Sequence, residues 1–193
     1  MARPRSFDED QVLDIAISVF REKGYEGTST EDLVSAMGIG RQSLYGAFGD
    51  KRSLYLASLR RYNTQSVTEL LDVGRRASSP LKAIEAILTH FVRHHASPVA
   101  SACMGVNAIC EFGTSDKDVA HITRQSSKLL EQSLERWIDE ARNGNEIDKA
   151  IEPKGAAQFV ASTLTALKVA ARGGAASIVL RNIVAYTLRS LAS

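Results

Sequence analysis

The stretch from Thr28 to Lys51, TSTEDLVSAMGIGRQSLYGAFGDK, leaves this chain the fewest ways to fold. It accommodates two short helices with a glycine turn between them. Ser29 or Thr30 caps the first, because a hydroxyl oxygen there accepts an orphan backbone N–H. Leu33, Ala36 and Met37 follow at helical spacing and give that helix one apolar side. Gly38 stops it, since glycine reaches the left-handed conformation of a sharp exit without a steric penalty. Ile39 turns back toward the core, and Gly40 opens a second helix from Arg41 to Phe48. Leu44 and Phe48 share its inner face, while Arg41, Gln42, Ser43 and Tyr45 lie off that stripe. A polar, arginine-led first turn and a half suits a helix that touches base edges in a DNA major groove. An ordinary core hairpin has the glycine turn too, but it gives no reason for the polar lead. Lys51 and Arg52 then start a further helix, where positive charge opposes the macrodipole. A phosphate backbone nearby would account for them.

Bulk charge makes no case for nucleic acid. The 193 residues carry a net charge of only +2, and residues 1–62 hold nine cations and nine anions. Contacts to DNA must therefore be local. The candidates are Arg3 and Arg5 on an N-terminal arm, Ser29 and Thr30 at the first cap, Arg41, Gln42, Ser43 and Tyr45 on the reading helix, and Lys51 behind it. Few phosphate contacts per subunit mean modest non-specific affinity and a shallow salt dependence.

Periodicity extends the helical pattern to the whole chain. A first helix from about Asp8 to Lys23 turns Val12, Ile15, Ala16, Val19 and Phe20 to one side, with Ser6 as its cap. A fourth runs from Lys51 to about Gly74, with apolar positions at Leu54, Leu56, Leu59, Tyr62, Val67, Leu70 and Leu71. RRASSP breaks the pattern, and Pro80 suits the first turn of a helix that continues from Leu81 to about His95. The segment Ala102 to Phe112, ACMGVNAICEF, is apolar almost all round, which predicts a buried helix. Its Asn107 and Glu111 share a face and need protein or ligand partners. Three more helices follow, over about Asp116–Asn143, Pro153–Arg172 and Ala175–Leu191. No alternating pattern of useful length suggests a strand. The reading is all-α with about nine helices, divided into a DNA-binding part over residues 1–50 and a helical part over residues 51–193.

Several classes are disfavoured. No apolar run approaches the roughly 18 to 20 residues that cross a bilayer. MARPRSFDED turns acidic where a signal peptide turns apolar, and two cysteines without a framework suit a reducing, cytoplasmic setting. The chain lacks a phosphate-binding glycine loop, GxSxG and HExxH, which argues against an enzyme, and no cofactor is expected. Metal or thiol sensing is the alternative chemistry. His90 and His94 are four apart, and His95, Cys103 and Cys110 follow nearby. Yet the two cysteines lie about 10 Å apart along one straight helix, too far for a disulfide.

Residues Phe7 to about Tyr62 resemble the DNA-binding domain of the tetracycline-repressor (TetR) family of bacterial transcription regulators. The resemblance rests on Phe20 ahead of GYEGTS, on GIGRQSLYGAF, and on GDKRSLY at the start of the next helix. It implies an N-terminal three-helix helix-turn-helix domain and a C-terminal helical domain that binds a small-molecule inducer and dimerises. In such proteins the fourth helix joins the two and resets the spacing of the DNA-reading heads. The expected partners are a palindromic double-stranded operator, an inducer and a second copy of the chain, with no membrane. Phe91, Met104, Asn107, Ala108, Glu111, Phe112 and Trp137 are the candidate pocket lining, a mostly apolar set with a few polar groups. The last two helices are too apolar for a single covered face. Phe159, Val160, Thr163 and Leu167 on one, with Ile178, Ile183 and Tyr186 on the other, are the candidate dimer contacts. Two-fold pairing would set two heads about 34 to 36 Å apart, one DNA turn.

Overall fold

The computed structural model describes residues 7–94 and 102–192. Arg3, Arg5, Ser6 and His95 lie outside the described residues. Among these residues are nine helices and no strand: α1 (Glu9–Lys23), α2 (Thr30–Met37), α3 (Arg41–Phe48), α4 (Lys51–Arg75), α5 (Pro80–His94), α6 (Met104–Phe112), α7 (Lys117–Asn143), α8 (Pro153–Arg172) and α9 (Ser177–Leu191). The all-α expectation holds. None of the helices is long and apolar enough to cross a membrane.

Local chemistry sets most of the boundaries. Asp8 caps α1 by accepting from the backbone N–H groups of Asp10 and Gln11, with Glu9 and Asp10 on the favourable end of the dipole. Asp116 does the same for α7 through Asp118 N and Val119 N, and Glu152 for α8 through Lys154 N and Gly155 N. Ser79 sits before α5, where its oxygen accepts weakly from Lys82 N at 3.4 Å and its hydroxyl donates to Glu146. Pro80 and Pro153 occupy first turns, where a missing N–H costs nothing.

The chain falls into two compact units. The first comprises residues 1–64 and 103–123, so it contains α1 to α3, the first half of α4, α6 and the start of α7. Its core gathers Val12, Ala16, Ile17, Phe20, Leu33, Leu44, Leu54, Tyr55, Leu59, Met104 and Ala108. The second comprises residues 65–102 and 124–193. There α5, α8 and α9 pack on one another around Ile84, Ile87, Leu88, Leu134, Ile138, Val160, Leu164, Leu167 and Leu180. This division puts α6 and half of α4 with the N-terminal helices, where a cut at residue 50 separates them. Sequence periodicity gives no hint of that, because it reports which face of a helix is apolar and not which helix covers it.

One expectation fails outright. α6 is not buried all round: Met104 and Ala108 are enclosed, but Ile109 is 53% exposed and Cys110 and Glu111 are exposed as well. A short helix at an edge needs only one covered side, however apolar its other residues are.

A candidate nucleic-acid interface

Two glycines shape the turn between α2 and α3. Gly38 adopts φ 65 and ψ 23, the left-handed conformation, and donates its N–H to the Val34 carbonyl. Gly40 precedes α3 with extended backbone. The start of α2 is fixed by a reciprocal capping box. Asp32 N donates to Ser29 Oγ at 3.0 Å, and Ser29 N donates to Asp32 Oδ2 at 2.8 Å. Lys23 from the end of α1 adds an ion pair to Asp32 at 2.5 Å. The Lys23 ammonium, followed by the Ser29 bonds, holds the Asp32 carboxyl well below the usual carboxylate range. Because the folded value is depressed, this stabilisation is complete above the unfolded value of 3.8 and is lost as pH falls through the folded value. Acid titration followed by amide chemical shifts should therefore fray the first turn of α2 below about pH 4. Asp32→Asn should flatten that dependence.

Leu44 is the inner anchor of α3 at 1% exposure. The opposite edge is open: Arg41, Gln42, Ser43 and Tyr45 are all exposed. Among the described residues, a methyl placed on Gly40 or Gly46 would meet no atom within 4 Å apart from its chain neighbours and the helix's own backbone, so this edge has open space beside it. Some of these side chains have neighbours on α2. Arg41 forms an ion pair with Glu31, and Thr30 Oγ1 lies 3.4 Å from the Tyr45 hydroxyl.

The cations at the start of α4 have partners that the sequence concealed. Asp50 caps this helix, its carboxylate accepting from Ser53 N at 2.6 Å, which offsets the dipole argument against Lys51 and Arg52. Lys51 Nζ sits 4.2 Å from the centre of the Tyr25 ring. Arg52 donates to Asp116 and Asp118 at 3.0 and 2.8 Å, so a structural role accounts for it without phosphate. Arg61, further along α4, is held by Asp14 and Asp10 at 2.8 and 2.7 Å.

α6 enters the same unit through its polar side. Both Glu111 carboxylate oxygens accept from Tyr25 N, at 2.9 and 3.2 Å. The Asn107 amide donates to the Arg21 carbonyl at 3.1 Å. Phe112 packs on Tyr25 and Tyr55 with ring centres 5.5 and 5.6 Å apart, and Tyr55 meets Phe20 edge-on at 5.0 Å. Tyr55, absent from the apolar positions expected for α4, is 1% exposed and is the centre of this aromatic cluster. Its signal was available, since it neighbours Leu54 and lies four residues before Leu59. Of the expected pocket lining, Met104, Asn107, Ala108, Glu111 and Phe112 thus belong to the first unit, and the two polar members already have backbone partners. Phe91 and Trp137 lie in the core of the second unit, at 2% and 6% exposure.

Comparison with known proteins agrees with this geometry. The family described as bacterial regulatory proteins, tetR family, matches residues 12–58. The HTH-type transcriptional regulator YezE of Bacillus subtilis strain 168 is 35% identical over 149 residues, 77% of either chain. The chain belongs to the TetR family. It is a TetR-family transcriptional regulator, like the relatives and fold neighbours named here. The transcriptional repressor ComR of Escherichia coli K12 is 27% identical over 191 residues, 97% of this chain and 90% of its own. The TetR-family regulator CifR, solved as a cysteine mutant complexed with 26-base-pair double-strand operator DNA, superposes with a TM-score of 0.85. It is 26% identical and is covered in full by 98% of this chain.

In this TetR-family chain the expected dimer residues divide by burial. Val160 and Leu167 are fully enclosed and Thr163 is 8% exposed, its hydroxyl donating to the Phe159 carbonyl. These three serve the subunit's own core and are not open to a second copy. Phe159, Ile178 and Tyr186 are 49%, 55% and 69% exposed, with Val169 and Val179 as further exposed apolar residues on the same two helices. Ile183 is half-buried. The residues of the alternative metal or thiol reading are placed as follows. His90 Nε2 lies 3.0 Å from Glu69 Oε1, His94 Nδ1 lies 2.9 Å from the His90 carbonyl, Cys103 is buried and Cys110 is exposed.

Proposed function

We propose that this regulator binds a palindromic DNA operator as a homodimer, represses transcription there, and is released by a small-molecule effector. The observation that carries the DNA-reading part is the open polar edge of α3, with Leu44 anchored behind it and the capping box of α2 fixing its support. The operator complex of CifR and the repressor ComR support the same reading. Arg41, Gln42 and Tyr45 meet base edges, Ser43 and Lys51 meet phosphates, and Ser29 and Thr30 line the approach. Arg3 and Arg5, ahead of α1 in the sequence, are the remaining candidate contacts.

Dimerisation through the exposed apolar residues of α8 and α9 supplies the second head. Phe159→Glu together with Tyr186→Glu is expected to shift the sedimentation coefficient from dimer to monomer at micromolar concentration. Retention of the dimer would place the interface elsewhere.

Operator binding is tested by anisotropy titration with duplexes that the protein enriches from a random pool. Arg41→Ala or Gln42→Ala should each cost about 1 to 3 kcal/mol on the enriched site and relax preference at one base pair. Lys51→Ala should weaken all sequences alike and reduce the salt slope. Unchanged affinity in the Arg41, Gln42 and Tyr45 alanine variants alike would refute the assignment of α3. An effector shifts operator occupancy only by its differential affinity for the bound and released states. One that competes for Glu111 would act by freeing the Tyr25 backbone next to α2.

A further inference from the structure

We infer that Glu31 is a specificity determinant of DNA reading: it holds Arg41 in an intramolecular ion pair that the operator displaces and unrelated DNA does not. The inference rests on α3 reading DNA. Glu31 is in the first turn of α2, and Arg41 is the first residue of α3. Their side chains are 66% and 59% exposed, so the pair sits on the open side of the turn. Tyr45 approaches Thr30 in the same way, and α2 and α3 are thus tied twice along the edge that would meet a duplex.

The neighbouring acid makes this role specific to Glu31. A carboxylate in the first turn of a helix has an ordinary use, since it favours the positive end of the dipole. Asp32 already serves that purpose: it closes the capping box with Ser29 and accepts Lys23. Glu31 shares the positive end of the dipole with Asp32 but has no part in the capping box, and its carboxylate instead pairs with the leading cation of the reading helix.

Magnitudes then decide where Arg41 goes. An exposed ion pair shifts an equilibrium by at most about fivefold. A bidentate arginine–guanine contact discriminates between bases by roughly five- to 150-fold. An operator that presents such a contact wins Arg41 from Glu31. A generic phosphate offers another exposed, salt-screened ion pair of similar strength, and it also meets the repulsion of the Glu31 carboxylate. With nine cations balancing nine anions over residues 1–62, no bulk attraction hides the effect of one side chain. Glu31 therefore acts against non-operator DNA while costing operator binding little.

Anisotropy titrations at several salt concentrations test this. The probes are a duplex that the wild-type protein enriches from a random pool and a scrambled duplex of equal length. Glu31→Gln keeps the side-chain shape, and helix content by circular dichroism checks the fold. The variant is expected to bind the scrambled duplex about two- to fivefold more tightly, the counterpart of the ion-pair range. Its salt slope should steepen by about one per subunit as Arg41 takes a phosphate. Affinity for the enriched duplex should rise less, so the ratio between the two falls. In an Arg41→Ala background, Glu31→Gln should leave that ratio unchanged. An unchanged ratio in the single variant overturns the inference, as does an undiminished effect in the Arg41→Ala background, where Glu31 would be acting on phosphate directly. If the wild type enriches no sequence, the DNA-reading function itself fails, an outcome distinct from either of these.

Discussion

Trp137→Ala is expected to lower unfolding stability by about 3 to 5 kcal/mol. The indole is 6% exposed and belongs to a cluster with Leu70, Leu71, Leu134, Ile138 and Ala141. Its place explains a feature of α4 that propensity disfavours. Glycine inside a helix costs roughly 0.5 to 1 kcal/mol relative to alanine. At Gly74, however, a methyl would overlap Cη2, Cζ3 and Cζ2 of the Trp137 ring. Gly74→Ala alone should therefore destabilise, by about 1 to 3 kcal/mol of overpacking. In the Trp137→Ala background the same substitution should reverse sign and stabilise by up to about 1 kcal/mol, because the ring is gone and only the helical preference remains. Urea unfolding at one fixed protein concentration measures all four species, since dimerisation makes apparent stability depend on concentration. Additivity of the two substitutions would refute the close approach. A destabilisation seen without any effector also separates a core role for Trp137 from a ligand contact.

Gly24→Ala should cost about 2 to 4 kcal/mol, from two sources. Gly24 has φ 75, in the left-handed half of the map, where a side chain costs about 1 to 2 kcal/mol. A methyl there would also overlap Glu111 Oε1. The carboxylate is the end of a flexible side chain, so it would swing away and give up its bonds to Tyr25 N at 2.9 and 3.2 Å. A hydrogen bond to a charged group contributes about 1.5 to 3 kcal/mol, less here because Glu111 is exposed. Glu111→Ala should remove that second part. The Gly24→Ala penalty should then shrink to the backbone share alone when measured in the Glu111→Ala background. An equal penalty in both backgrounds would mean that Glu111 does not act at Gly24. Hydrogen exchange at the Tyr25 amide gives a local reading of the same contact, with faster exchange expected in either single variant.

The helix-turn-helix was legible because every signal for it is local. Ser29 and Asp32 are three residues apart, Gly38 and Gly40 bracket the turn, and Leu44 has polar neighbours on either side. Capping, glycine conformation and helical period act within a few residues, so sequence order is enough to read them. The exposed edge at Arg41, Gln42, Ser43 and Tyr45 follows from the same period. Reading failed where one apolar pattern allows two arrangements. The run in α6 suggested burial, yet Ile109 is exposed. The apolar residues of α8 looked like one surface, yet Val160 and Leu167 face inward while Phe159 faces outward.

The order of residues was sufficient for the helical pattern, for the Ser29 cap, for the polar lead of α3 and for the resemblance to a family of regulators, whereas the cap of α1 is Asp8 and not Ser6. Only the tertiary structure decided which partner each polar side chain takes. Glu111 meets a backbone 86 residues away, and Arg52 meets a carboxylate 64 residues away. Such pairs leave no periodic trace, because a charge placed outside an apolar stripe is equally compatible with water, with a ligand or with any opposite charge that folding brings near. The helices are set by interactions along the chain; the partners are set by which helices pack together.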